Sequence, residues 1–102
     1  FGIVGLETAL PLTLKMVDKK IISLEKAIDM LTFQPNRIFG LDKGILEVGK
    51  AADITLFDDK EEYSIDPSKF KSRSKNSPYA GWKVRGKILH TLVNGKTVFK
   101  AN

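Results

Sequence analysis

A chain of 102 residues, 42% hydrophobic and 28% charged, has room for one globular domain and no more. That balance argues against global disorder, and no apolar stretch approaches the ~20 residues needed to cross a bilayer. With no cysteine, disulfides and thiolate metal sites are excluded, and a reducing, cytoplasmic setting is expected.

The net charge of +5 is uneven: residues 1–59 carry 7 basic and 9 acidic side chains, residues 60–102 carry 10 and 3. The run "KFKSRSK" (residues 69–75) has the composition of a phosphate-binding patch. Lysines near a sheet edge also discourage edge pairing, and Phe70 is the sole aromatic inside the run available to stack on a base. Nucleic acid is therefore not expected as a partner, nor is a membrane.

From the start, Val4, Leu6, Leu10, Leu14 and Val17 recur at helical spacing and predict a helix over 4–19. Pro11 lacks a backbone donor, so that helix must begin near residues 6–9 or bend there. Ser23 is suited to cap a second helix reaching Phe33, with Glu25 in its first turn and Leu24, Ala27, Ile28 and Leu31 on its apolar stripe. Gln34-Pro35 is expected to end it, since the residue before proline avoids the helical region. Pro35 then suits the first position of a short third helix, "PNRIF", closed by Gly40.

Beyond Gly40 the period changes. "DKG" (residues 42–44) and "GK" (49–50) mark turns, and "ADITLFDD" (52–59) predicts a strand buried through Ile54, Leu56 and Phe57. Residues 60–83 are polar, carry two prolines, and predict a long irregular connection. In "KILHTLVNGKTVFK", Asn94-Gly95 predicts a type I′ hairpin joining strands near 87–93 and 96–100. The expected class is α+β: three helices, then a small, mainly antiparallel unit of about four short strands.

Residues with catalytic chemistry are sparse. His90 is the sole histidine, and alternation along its strand sets it opposite Leu89 and Thr91. Zinc needs three or four converging ligands, which one histidine without cysteines does not supply. Asp58 and Asp59 are adjacent on a strand, point to opposite faces, and so do not form a catalytic pair. Neither phosphate-binding glycine motif is present.

Four stretches carry a resemblance. "GILEVGKAADITLFD" (residues 44–58) resembles the segment by which amidohydrolase-superfamily enzymes leave their (β/α)8 barrel and build a small β-sandwich. "ILHTLVNGKTVF" (88–99) resembles the hairpin completing that sandwich. "FGIVGLETALPL" (1–12) and "SKNSPYAGWKVRGKI" (74–88) are similar to segments of the bacterial type I dihydroorotase family, and differ from hydantoinases and allantoinases at both places.

The resemblance implies that residues 1–41 are the last loop and helices of a metal-dependent hydrolase barrel. Residues 42–102 would be the C-terminal part of the composite sandwich. The chain would then be a C-terminal fragment, which accounts for its apolar start without Met. The implied activity of the parent is the zinc-dependent, reversible cyclisation of N-carbamoyl-L-aspartate to L-dihydroorotate in pyrimidine synthesis. Zinc ligands and the proton-shuttling Asp would lie upstream, so this fragment is expected to bind no metal and to be inactive alone. The implied partners are the rest of the barrel, that substrate pair and, as one option, a second copy. Of the substrate-binding set, Phe1 and Gly2 match the family's Phe-Gly pair. Glycine there lets backbone approach an anionic ring. Gly5, three residues on, is expected to serve the start of the helix. Another cyclic amidohydrolase, or a non-enzymatic basic binding module, are the alternatives.

Overall fold

The computed structural model describes residues 2–101, in the order three helices, then strands. Helix α1 is Ala9–Asp18, α2 is Leu24–Leu31 and α3 is Phe33–Ile38. The strands are β1 Ile54–Asp58, β2 Tyr63–Ser64, β3 Lys83–Val84, β4 Lys87–Val93 and β5 Lys96–Lys100.

Helix α1 is shorter than the periodicity predicts, because Val4 and Leu6 lie in the loop before it and Leu6 is 97% exposed. Pro11 does not bend it. It occupies the third helical position, where an N–H has no intrahelical acceptor, and the Leu12 N–H makes the bond to the Thr8 carbonyl at 3.0 Å. Ser23 caps α2 as its type dictates, accepting from the Lys26 N–H at 3.1 Å. Pro35 does not begin α3. The break between α2 and α3 falls at Thr32 (φ −125°, ψ −77°), and Pro35 again sits in a first turn, where its missing donor costs nothing.

Two antiparallel sheets follow, one of three strands in the order β1-β4-β5, the other pairing β2 with β3. The connection over 60–83 is thus not wholly irregular: it holds β2, a 3₁₀ turn at Pro67–Lys69 and the start of β3. The hairpin is as the sequence predicts, with positive φ at Asn94 (50°) and Gly95 (75°). Its turn is docked on the chain before β1. The Gly95 N–H donates to the Ala52 carbonyl at 3.0 Å and the Asn94 N–H to Asp53 Oδ1 at 2.9 Å.

Strand β1 is not the buried strand expected. Leu56 is 50% exposed, and the pairing with β4 slips between Leu56 and Phe57. Leu56 faces His90 while Phe57 faces Ile88, so Leu89 is left over and alternation fails there.

The buried apolar side chains among the described residues are Pro11, Leu14, Ala27, Ile65 and Val84. Leu14 is fully buried against Gly86, itself buried at φ 101°. A Cβ at Gly86 would lie 2.6 Å from Leu14 Cδ1. Beside this contact, Arg85 reaches Asp18 at 2.8 Å and the Asp59 carbonyl at 2.6 Å, tying the end of α1 to the end of β1. Much apolar surface stays open, including Phe39 and Leu46 at 77% exposure each and Val48.

Gly86→Ala combines a steric overlap with a left-handed backbone and should cost about 2–3 kcal/mol. Gly49→Ala, also at positive φ but facing open space, should cost about 1 kcal/mol. Equal shifts of the unfolding midpoint for the two variants would remove the Leu14 contact as the cause.

The Lys43 ammonium, and then the Asn94 amide, hold the Asp53 carboxyl below its usual range. A carboxyl depressed in the folded state adds stability above the unfolded pKa of 3.8 and loses it as pH falls further. Protection of the Asn94 amide, taken relative to the intrinsic exchange rate at each pH, should accordingly fall below about pH 4, and Asp53→Asn should flatten that dependence. Amide exchange followed across the acid range checks it.

Candidate functional site

The loop over 2–8 stands on the surface beside the segment over 70–76. Gly2 is exposed at φ 70°, a left-handed conformation that favours glycine, and nothing lies within 4 Å of where its Cβ would be. Its carbonyl accepts from the side-chain amide of Asn76, and the Val4 N–H donates to the Asn76 carbonyl at 3.0 Å. Phe1, paired with Gly2 by the sequence, lies outside the described residues. Gly5 is not at positive φ and has open space around it, so the expected need for glycine at the helix start is not met there.

At the other end of the loop, the Glu7 carboxylate accepts from the Lys71 N–H at 2.9 and 3.1 Å and from the Ser72 N–H at 3.1 Å. The Lys75 ammonium turns inward as well, donating to the Phe70 and Ser72 carbonyls. The basic run therefore already holds an anion, supplied by this chain. Carboxylate-to-amide bonds of this kind are charge-assisted. Sequence reasoning missed both Glu7 and Asn76. Their partners lie 64 to 74 residues away, and the faint signal was a carboxylate just ahead of a helix in a chain whose other half is strongly basic.

The other candidates are structural. His90 is half-buried, and its Nε2 lies 2.7 Å from Thr97 Oγ1 across the hairpin. Asp58 ends β1, where its carboxylate accepts from the Lys60 N–H at 2.8 Å and the Glu61 N–H at 3.2 Å. Those amides, with Lys60 first, hold its carboxyl below the usual range. Asp59 faces Arg85 instead. Among the described residues, no three His, Cys, Asp or Glu side chains gather in a way that could hold a metal ion. No helix among them is long and apolar enough to cross a membrane.

With a glycine loop strapped to a basic turn, an Asn-Gly hairpin docked on an Ala-Asp strand start, and these in one arrangement, comparison with known proteins is decisive. The amidohydrolase family model matches residues 2–98. The chain belongs to the amidohydrolase family. It is similar to dihydroorotases of Geobacter sp. (strain M21), 43% identical, and Anaplasma phagocytophilum (strain HZ), 48% identical. The alignments cover 98% and 99% of this chain but 24% and 23% of those proteins. The dihydroorotase of Geobacillus sp. (strain WCH70) is 50% identical over 101 residues. The chain thus spans about a quarter of the length of the curated relatives it matches. Among solved structures it is similar to a D-hydantoinase, with a TM-score of 0.88 and 31% identity over 94% of this chain and 21% of that one. The L-hydantoinase (dihydropyrimidinase) from Arthrobacter aurescens also gives a TM-score of 0.88, with 37% identity over 97% of this chain and 23% of that one.

Because no ligand set is present among the described residues, the 102-residue chain alone, given one equivalent of zinc and desalted, should retain far less than one equivalent. Metal analysis of the desalted protein checks this, and stoichiometric tight zinc would require ligands not recognised here.

Proposed function

We propose that this chain is the C-terminal quarter of a dihydroorotase, the enzyme that interconverts N-carbamoyl-L-aspartate and L-dihydroorotate. The observation that carries the proposal is the level of identity. It runs from 42% to 50% with dihydroorotases across nearly the whole chain, against 31% and 37% with the two hydantoinases of the same fold. In this reading residues 1–41 are the last loop and helices of a (β/α)8 barrel, and residues 42–102 are part of the small β-sandwich beside it. The open apolar surface of the helices and of β1 supports it, since a larger body would cover that surface.

The reaction closes or opens a cyclic amide, with water lost or gained. Zinc would supply Lewis-acid chemistry in the whole enzyme. Among the described residues no three His, Cys, Asp or Glu side chains gather to hold that metal, and in this reading its ligands and the proton-transferring carboxylate lie elsewhere in the enzyme. The contribution of this chain is a backbone surface for substrate at Phe1 and Gly2. Gly2 supports that role by its exposure and its left-handed φ of 70°, with no side chain of its own to cover the backbone there.

The test uses the full-length protein with its native metal. Dihydroorotate and carbamoyl-aspartate should be interconverted, and hydantoin and allantoin should be processed with a kcat/KM lower by roughly a hundredfold or more. Preference for hydantoin would overturn the assignment in favour of the related cyclic amidohydrolases. Gly2→Val should raise KM for dihydroorotate roughly tenfold with metal content unchanged. Gly5→Ala, which meets open space at an ordinary φ, should alter KM little and stability by less than about 0.5 kcal/mol. An unchanged KM in Gly2→Val would make that loop a structural turn.

A further inference from the structure

The loop over 2–8 has little apolar packing of its own: Ile3 is 53% exposed and Leu6 97%. A glycine-containing segment with few buried contacts opens at low free-energy cost, whereas a backbone that binds substrate must be held before substrate arrives. The end of this loop is closed from within by buried Thr8, whose N–H and hydroxyl both donate to the Gly5 carbonyl; the rest is held by polar contacts from the segment over 70–76. The Asn76 side-chain amide takes the loop near its start, donating to the Gly2 carbonyl, beside a backbone bond from the Val4 N–H to the Asn76 main-chain carbonyl at 3.0 Å that side-chain substitutions leave in place. Glu7 takes it just before α1, accepting two backbone N–H groups from Lys71 and Ser72. The turn receiving Glu7 is itself closed by Lys75, which ties the Phe70 and Ser72 carbonyls and leaves the N–H groups facing the carboxylate.

We infer that Glu7 and Asn76 are positioning residues, a two-point strap that fixes the peptide groups around Gly2 for the substrate. The inference rests on the proposed substrate role of Gly2. Neither side chain needs to touch substrate. Asn76 acts through the Gly2 carbonyl, whose orientation sets the adjoining peptide planes. Glu7 acts by fixing where the loop joins α1. Their chemistry predicts distinct responses. Glu7→Gln keeps one carbonyl oxygen that can accept both N–H groups, as Oε2 does, and loses the charge and the second acceptor toward Lys71. Glu7→Ala loses the acceptor. Asn76→Asp replaces the donor facing the Gly2 carbonyl with a second acceptor, so it should be at least as harmful as Asn76→Ala.

The experiment measures amide hydrogen exchange over residues 2–8, and kcat and KM for dihydroorotate, in the full-length metal-loaded protein. Glu7→Ala and Asn76→Ala should each speed exchange across 2–8 and raise KM roughly tenfold, with kcat within about threefold. Glu7→Gln should recover most of the lost KM. The double variant should cost less than the product of the single effects, because both act on one loop. Should Glu7→Ala fail to fold, Glu7→Gln with Asn76→Ala and Asn76→Asp carry the same comparison. Unchanged exchange in these variants would show that something else holds the loop, and faster exchange with wild-type KM would show a strap without a role in substrate binding. Either result overturns the inference. A wild-type protein inert on dihydroorotate would instead overturn the proposed function, and the exchange measurements would still decide whether the strap holds the loop.

Discussion

Leu14 packs where Gly86 has no side chain, and this contact joins the helical half of the molecule to its strands. The space is exact to a methyl group, since a Cβ at Gly86 would come within 2.6 Å of Leu14 Cδ1. Dense packing of this sort has one solution rather than a range of them. With α1 seated, Arg85 can bridge Asp18 and the Asp59 carbonyl, and Lys15 can donate to the Lys83 carbonyl at 3.0 Å. The loop preceding α1 is thereby delivered to the segment over 70–76. Every feature of the candidate site follows from where that helix lies.

Electrostatics then completes what packing begins. The exposed ion pairs, such as Lys43–Asp53 and Lys50–Asp42, are of the kind that contributes little net stability in water. The bonds of the Glu7 carboxylate to two backbone amides differ, because they satisfy donors that no secondary structure uses. A basic run that invites comparison with a nucleic-acid patch is here a receptor for an internal carboxylate. The carboxylate is held there by backbone amides of the run rather than by its charged side chains.

Family membership and the proposed activity stand on different supports. Membership rests on a match that runs through residues 2–98. The substrate assignment rests on graded identity, because hydantoinases share the same backbone arrangement with a TM-score of 0.88. A common fold serving several cyclic amides is expected when chemistry resides in site residues rather than in architecture.

Local interactions were legible in the residues alone. Ser23 caps the helix that begins at the next residue, Pro11 is harmless in a first turn, and Asn94-Gly95 makes its hairpin from two left-handed residues. Each of these is settled within about four residues of chain, the range over which backbone hydrogen bonds and φ preferences act. The resemblance of residues 1–12 and 74–88 also marked both parts of the site as belonging to one family, although not that they touch. Tertiary structure alone set the β2–β3 pairing, the slip that turns Leu56 outward, the Gly86–Leu14 contact, and the bonds of Glu7 and Asn76. Those bonds join residues 64 to 74 positions apart, and no periodicity or spacing encodes such a distance. They form because helix packing carries the loop there, and a one-dimensional pattern does not record where packing will carry a loop.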